Sequence, residues 1–305
     1  MPRPRDGRSR SCRLFVTMTR SRSPSRRIRI STSRPRRSDW SANWIAFSTS
    51  GCSDSGGIEA SRAPRLDLET GLARRDESDH VLDEIDERAL EVALAFADGH
   101  PDAEVVAVSM APEAATATMR KALAMGAHSA VHVVDDALRG ADVALTAEVL
   151  AATLSRIGFD LVVAGNLSTD GAGGVLPAML AEHLRVPHAT SLSAVEIGDA
   201  TVSGTRTTEA ATARVSAPLP AVISITEALP DGRFPTFKGI LAAKKKPFET
   251  LSLADLGLDA DPARAPWSIL TTVAARPPRA AGTTIVDEGD AGERLAAFLL
   301  ENRLA

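Results

Sequence analysis

Between Glu104 and Leu184 the chain alternates short, unbroken apolar runs with Ala- and Leu-rich stretches of helical length, and few folds accommodate that pattern. Glu104 to Met110, EVVAVSM, lacks the in-and-out alternation of a half-exposed strand, so it predicts a strand covered on both faces. Ala114 to Met125 has helical spacing, and Gly126 stops it before a second strand, Ala130 to Val134. Ala141 to Ile157 predicts a long helix, Gly158 breaks it, and the strand Asp160 to Ala164 and helix Val175 to Leu184 follow. Strands separated by single helices need right-handed crossovers, which predicts an α/β fold: a Rossmann-like parallel sheet with helices on both faces.

Upstream, Val81, Ile85, Ala89, Val92, Ala93 and Phe96 recur at i, i+3 and i+4, predicting an amphipathic helix from Asp83 to Gly99. Asp83, Glu84, Asp86 and Glu87 crowd its first turn and oppose the positive end of the helix dipole; ordinary capping accounts for most of this acidity. Beyond Pro187, the segments Ala189 to Ile197, Thr201 to Thr208 and Ala211 to Val215 read as antiparallel additions to the sheet. Ala221 to Ile225 is a further buried strand. Pro230, Gly232 and Pro235 then exclude helix and sheet, so Leu229 and Phe234 ride on a loop. Of the lysines, only Lys121 lies outside this region; Lys238, Lys244, Lys245 and Lys246 follow the loop. Two readings stay open for it: an apolar docking loop with a basic flank, or a Leu229 tucked onto its own domain beside a solvated lysine face. Phe248 to Leu253 is the last strand, with a helical turn at Ala254 to Leu256. A Pro-, Ala- and Arg-rich linker follows. It leads to a terminal helical stretch, Gly289 to Leu304, which reads as an arm reaching another chain.

Chemistry is first expected in the loop Gly165 to Gly174, GNLSTDGAGG, which leaves a buried strand and enters a helix. Backbone N–H groups at such a junction suit a phosphate, and Asn166, Ser168, Thr169 and Asp170 suit ribose or phosphate contacts. The loop is neither a Walker A sequence nor GxGxxG, so a plain turn remains the competing reading. Cys12 and Cys52 are the only cysteines, both in the N-terminal head, and the six histidines have no metal-ligand spacing. No catalytic set and no metal site are expected. No apolar run reaches the roughly 20 residues of a membrane span, and a soluble, intracellular protein is expected.

Residues 1–62 differ in kind. Thirteen arginines and no lysine stand in the first 39 residues against Asp6 and Asp39, while the remainder is acidic. A transit peptide, a nucleic-acid-binding tail and a disordered or frame-shifted extension all fit; the last is preferred, with residues 1–60 expected to be unstructured.

Four motifs in the body resemble the beta subunit of electron transfer flavoprotein: DEIDERALEVAL (Asp83 to Leu94), MRKALAMGAHSAVHV (Met119 to Val133), GNLSTDGAGGVLPAMLAEHLRVP (Gly165 to Pro187) and ALPDGRFPTFKGILAAKKKPFETLSLADLGLD (Ala228 to Asp259). The likeness runs from about Arg65 to the end. It implies an electron carrier without catalytic residues of its own, cytoplasmic in bacteria, with residues 63–260 as the nucleotide-binding domain and 261–305 as an arm on the alpha subunit. It implies a structural AMP in this subunit and a redox FAD held mainly by alpha. The implied AMP contacts are Asp83, Glu84, Ile85, Asp86, Ser109 and the loop from Asn166, with Ser168, Thr169, Asp170, Gly171, Gly173 and Gly174. Leu229 takes the position that docks into acyl-CoA dehydrogenases, beside Lys244, Lys245 and Lys246. The family's first strand, resembling VLVKQVPD, finds no match before residue 65, so a missing strand is expected. Two alternatives stay open: a bifurcating subtype with a second FAD in place of AMP, and a nucleotide-binding regulatory module of universal-stress type.

Overall fold

The computed structural model describes residues 67–72, 82–168, 173–258, 268, 271–274 and 287–303, together with the backbone of 13–17, 29–30 and 270. The alternation is realised as β3 (Glu104–Met110), α2 (Thr116–Met125), β4 (Ser129–Val133), α3 (Val143–Ile157), β5 (Leu161–Gly165) and α4 (Leu176–Leu184). Helix α1, Glu84–Gly99, precedes them, with Asp83 as its N-cap accepting from the Ile85 N–H at 2.9 Å. β6 (His188–Leu192), β10 (Ala221–Ile225) and β11 (Phe248–Leu251) complete the main sheet, together with a strand from the head, β1 (Arg13–Thr17). The seven lie in the order β11-β4-β3-β1-β5-β10-β6, every pair parallel.

Adjacent residues of the central strands bury on opposite faces, which is why their sequences show no polar alternation. Val105 and Ala107 join Leu90, Leu94 and Leu123 under α1 and α2, whereas Val106 and Val108 join Leu150, Leu154 and Leu180 under α3 and α4. Burying one such Leu is worth roughly 1.5–3 kcal/mol. Strands β7 (Ala194–Ile197), β8 (Thr201–Thr207) and β9 (Thr212–Pro218) form a separate antiparallel sheet, whose Val202 and Ala217 enter the first of these cores. Residues 274–305 form a second unit, whose described residues include helix α6 (Ala291–Glu301), with Leu295, Phe298 and Leu300 exposed.

Five expectations are corrected. The head is not without structure throughout, and the first strand is not missing: the backbone of Arg13–Thr17 pairs with Glu104–Val108 on one side and Leu161–Ala164 on the other. Arg29–Ile30 pairs as β2 with β12 (Leu270–Thr272). A short apolar run flanked by Arg and Ser shows no periodicity, and here two waiting strand edges define it. The rest of residues 1–62 lies outside the described residues. Ala189 to Ile197 is two strands, because Ser191 takes a left-handed φ of 57° and the register shifts opposite Ile223 to Ile225; β6 then belongs to the parallel sheet. The basic stretch contains a helix, α5 (Phe237–Ala243), with Thr236 as N-cap accepting from Gly239 N–H at 3.0 Å. Finally, α2 begins two residues late, after a 3-10 turn at Glu113–Ala115.

Candidate nucleotide site and docking face

The chain runs from β1 to β3 and β4 on one side of the sheet and returns to β5 on the other, so strand order reverses at β1. Ligands of open α/β sheets bind at the carboxyl ends of strands at such a reversal. Ser109 lies near the carboxyl end of β3, 3% exposed, and Gly165 ends β5, so the two flank β1 there.

Helix α1 closes this edge. Asp86 is 5% exposed and its Oδ1 accepts from the Gly165 N–H at 2.7 Å. A Cβ on Gly165 would stand 2.9 Å from that oxygen, so the close approach of loop and helix requires glycine. Asp83 and Asp86 are thus bonded to backbone N–H groups, Glu84 is exposed and Ile85 half-buried. Asn166 continues from β5, its N–H donating to Ile225 O at 2.8 Å, and its buried Oδ1 has no hydrogen-bond partner. A buried acceptor left unpaired costs about 1–3 kcal/mol, so this oxygen fits a donor supplied by a ligand. Helix α4 starts at Val175 with no side-chain cap, whereas α1 and α3 start on Asp83 and Asp142 with their carboxylates bonded to N–H groups. Ser168 and Gly173 are half-buried and Gly174, at φ 63°, is exposed. Thr169, Asp170 and Gly171 lie outside the described residues. The described part fits a nucleotide: orphan acceptor, uncapped helix start and glycine approach lie on one loop.

A buried histidine at the same edge had no place in the sequence reading. His132, on β4 in register with Ser109, is fully buried; its Nε2 lies 3.0 Å from Ala111 O and its Nδ1 is unpartnered. Burial pushes its pKa below the usual imidazole range, outweighing the Ala111 carbonyl.

The second region is the loop after β10. Leu229 is half-buried and packs on the core beside α1, while Phe234 is 92% and Phe237 78% exposed. Ile240 and Leu241 of α5 are exposed too. The sequence singled out Leu229, but the large exposed aromatic side chains here are Phe234 on the loop and Phe237 at the start of α5. Lys244 and Lys245 are exposed, whereas Lys246 turns inward: its Nζ donates to Leu123 O, Gly126 O and Ala127 O at 2.9, 3.1 and 2.6 Å. It thereby caps the carboxyl end of α2, where a cation meets the negative end of the dipole. Burial pushes its pKa below the usual lysine range.

Strand order and loop together define the class, a doubly wound α/β protein with a nucleotide-type loop at its switch point. Comparison with known proteins narrows it. Residues 71–256 match the electron transfer flavoprotein domain. The chain is 43% identical over 239 residues to "Electron transfer flavoprotein subunit beta" of Mycobacterium bovis, covering 75% of this chain and 89% of that one. The like-named protein of Mycobacterium leprae is 42% identical over 238 residues, with the same coverage, and that of Bacillus subtilis 32% over 200, covering 65% and 77%. The chain belongs to the electron transfer flavoprotein family, with its beta subunits. Among the described residues, no helix is long and apolar enough to cross a membrane.

Proposed function

We propose that this chain is the beta subunit of a cytoplasmic, heterodimeric electron transfer flavoprotein that accepts electrons from dehydrogenases acting on acyl-CoA thioesters and delivers them to a quinone-linked acceptor. Membership of the family carries the electron-transfer part. For a structural AMP in this subunit, the carrying observation is the orphan Oδ1 of Asn166 next to the uncapped start of α4. Asn166 would accept from the nucleotide, the first N–H groups of α4 would face its phosphate, and Asp86 would hold Gly165 so that the loop keeps its approach. FAD, held mainly by the alpha subunit, supplies the redox chemistry when bound; this chain binds, orients and docks.

The docking role passes to Phe234, Phe237, Ile240 and Leu241, with Lys238, Lys244 and Lys245 as a basic rim and Leu229 as packing beneath. Aromatic anchors inside a charged rim suit partner recognition, and the rim steers acidic surfaces. The arm of residues 261–305, with the exposed apolar residues of α6, serves the alpha subunit.

Purification with a co-expressed alpha subunit tests the reading. One FAD and one AMP per heterodimer are expected. Two FAD and no AMP would assign the bifurcating subtype, and a flavin-free chain that ignores alpha would assign the regulatory module.

A further inference from the structure

We infer that Arg233 is the positioning residue of the docking face: it locks the loop 229–233 onto the flank of α1, so that Phe234 and Phe237 are presented from a fixed backbone. The inference rests on the docking face proposed above.

The loop cannot hold itself. Pro230 and Pro235 have no N–H, and among the described residues Leu229 N to Thr226 O, at 3.3 Å, is its backbone bond between β10 and α5. Its order therefore comes from side chains, and these converge on one helix. The Arg233 guanidinium forks onto Glu91, Nε to Oε2 and Nη2 to Oε1, both 2.8 Å, while Nη2 also reaches Asp98 Oδ2 at 2.8 Å. The backbone N–H of Arg233 donates to the same Glu91 Oε2 at 3.0 Å. Glu91 and Asp98 stand two turns apart on one face of α1, so a planar fork spans them as a lysine could not. Upstream, Arg88 donates to Leu229 O and pairs with Asp231. Between them Gly232 lies flush on the helix: a Cβ there would meet Glu87 O at 3.0 Å. The bonds to Glu91 and Asp98 hold Arg233 well above the usual guanidinium range, in keeping with this geometry.

The next residue is Phe234, its ring in water. A groove of about 340 Å³ lined by Val92, Phe96, Val195, Ile197, Leu229 and Pro230 borders the same helix. A loop released from α1 has that apolar surface within a few residues' reach of Phe234. The clamp opposes such a collapse.

The test uses the full heterodimer, reduced by a purified acyl-CoA dehydrogenase with its thioester substrate, with hydrogen exchange measured across residues 226–236. Arg233→Ala and Arg233→Lys should each speed exchange of the 229–233 amides and raise the KM for the carrier on the order of tenfold. The value of kcat and the nucleotide and flavin content should stay within twofold. Glu91→Gln should reproduce the pattern more weakly. Phe234→Ala and Phe237→Ala should raise KM without changing exchange. Unchanged exchange and KM in the Arg233 variants, with KM raised in the Phe variants, would overturn the positioning role and leave the docking face standing. Unchanged KM in every variant would overturn both. Loss of flavin or nucleotide in the Arg233 variants would show a general structural role and also overturn it.

Discussion

Helix α1 holds two loops by two kinds of physics. Its first turn fixes the loop after β5 through Asp86, a nearly buried carboxylate on one backbone N–H, with glycine making the approach possible. Its flank fixes the loop after β10 through Arg233, Glu91, Asp98, Arg88 and Asp231, whose side chains range from 18% to 87% exposed. The Asp86 end is nearly buried and leaves no room for a Cβ at Gly165; the flank is solvated, and salt can weaken it. A permanently held ligand suits the first arrangement, and a face that engages and releases partners suits the second.

The largest expected effect tests the buried end. Gly165→Ala should lower stability by about 2–3 kcal/mol, because a Cβ 2.9 Å from Asp86 Oδ1 pushes helix and loop apart. A thermal midpoint equal to the parent's would show that this approach is not tight. Acid separates the two regions next. His132 has a lowered pKa, so its folded form resists the proton that the unfolded chain accepts. Its contribution is whole above about pH 6.5 and is lost as pH falls from there, by at most about 1.4 kcal/mol per unit. The bonds to Arg233 hold Asp98 below the usual carboxylate range, so what Asp98 itself contributes is lost only as pH falls below about 3.8. Denaturant midpoints from pH 7.5 to 5 should therefore fall in the parent and stay flatter in His132→Gln. Smaller still is Glu91→Gln, about 0.5–1 kcal/mol at low ionic strength and less at high salt; an effect independent of salt would place the clamp among buried pairs. Phe237→Ala should move stability by less than about 0.5 kcal/mol while slowing electron transfer from the dehydrogenase. Normal transfer by that variant would remove Phe237 from the docking face.

Much of this was legible in the residues. The strand Glu104–Met110, the Asp83 cap and the loop after β5 follow from local patterns that act within a few residues. Helix α5 does not show in the sequence because Pro230, Gly232 and Pro235 read as breakers just ahead of it, although Thr236 is a good cap. A lysine in a basic run reads as solvated, and nothing local reveals that the chain returns Lys246 to the end of α2, 120 residues upstream. Leu229 and Phe234 are equally apolar on the page; only the path of the loop along α1 decides which one faces water. Asn166 was found by motif, but the missing partner of its Oδ1 is a fact of three dimensions.

The placement of β1 has a consequence for how the molecule is made. Its five residues precede every other strand of the main sheet in the chain, yet they pair with β3 and β5, which emerge about 90 and 150 residues later. Until β1 inserts, β11-β4-β3 and β5-β10-β6 are two half-sheets, each with an unsatisfied edge at what becomes the centre of the protein. Closure is then a long-range, late event, and bare parallel edges are templates for self-association. Shortening the chain ahead of Met18 should therefore change solubility on expression more than any surface substitution, through the aggregation of half-assembled sheets.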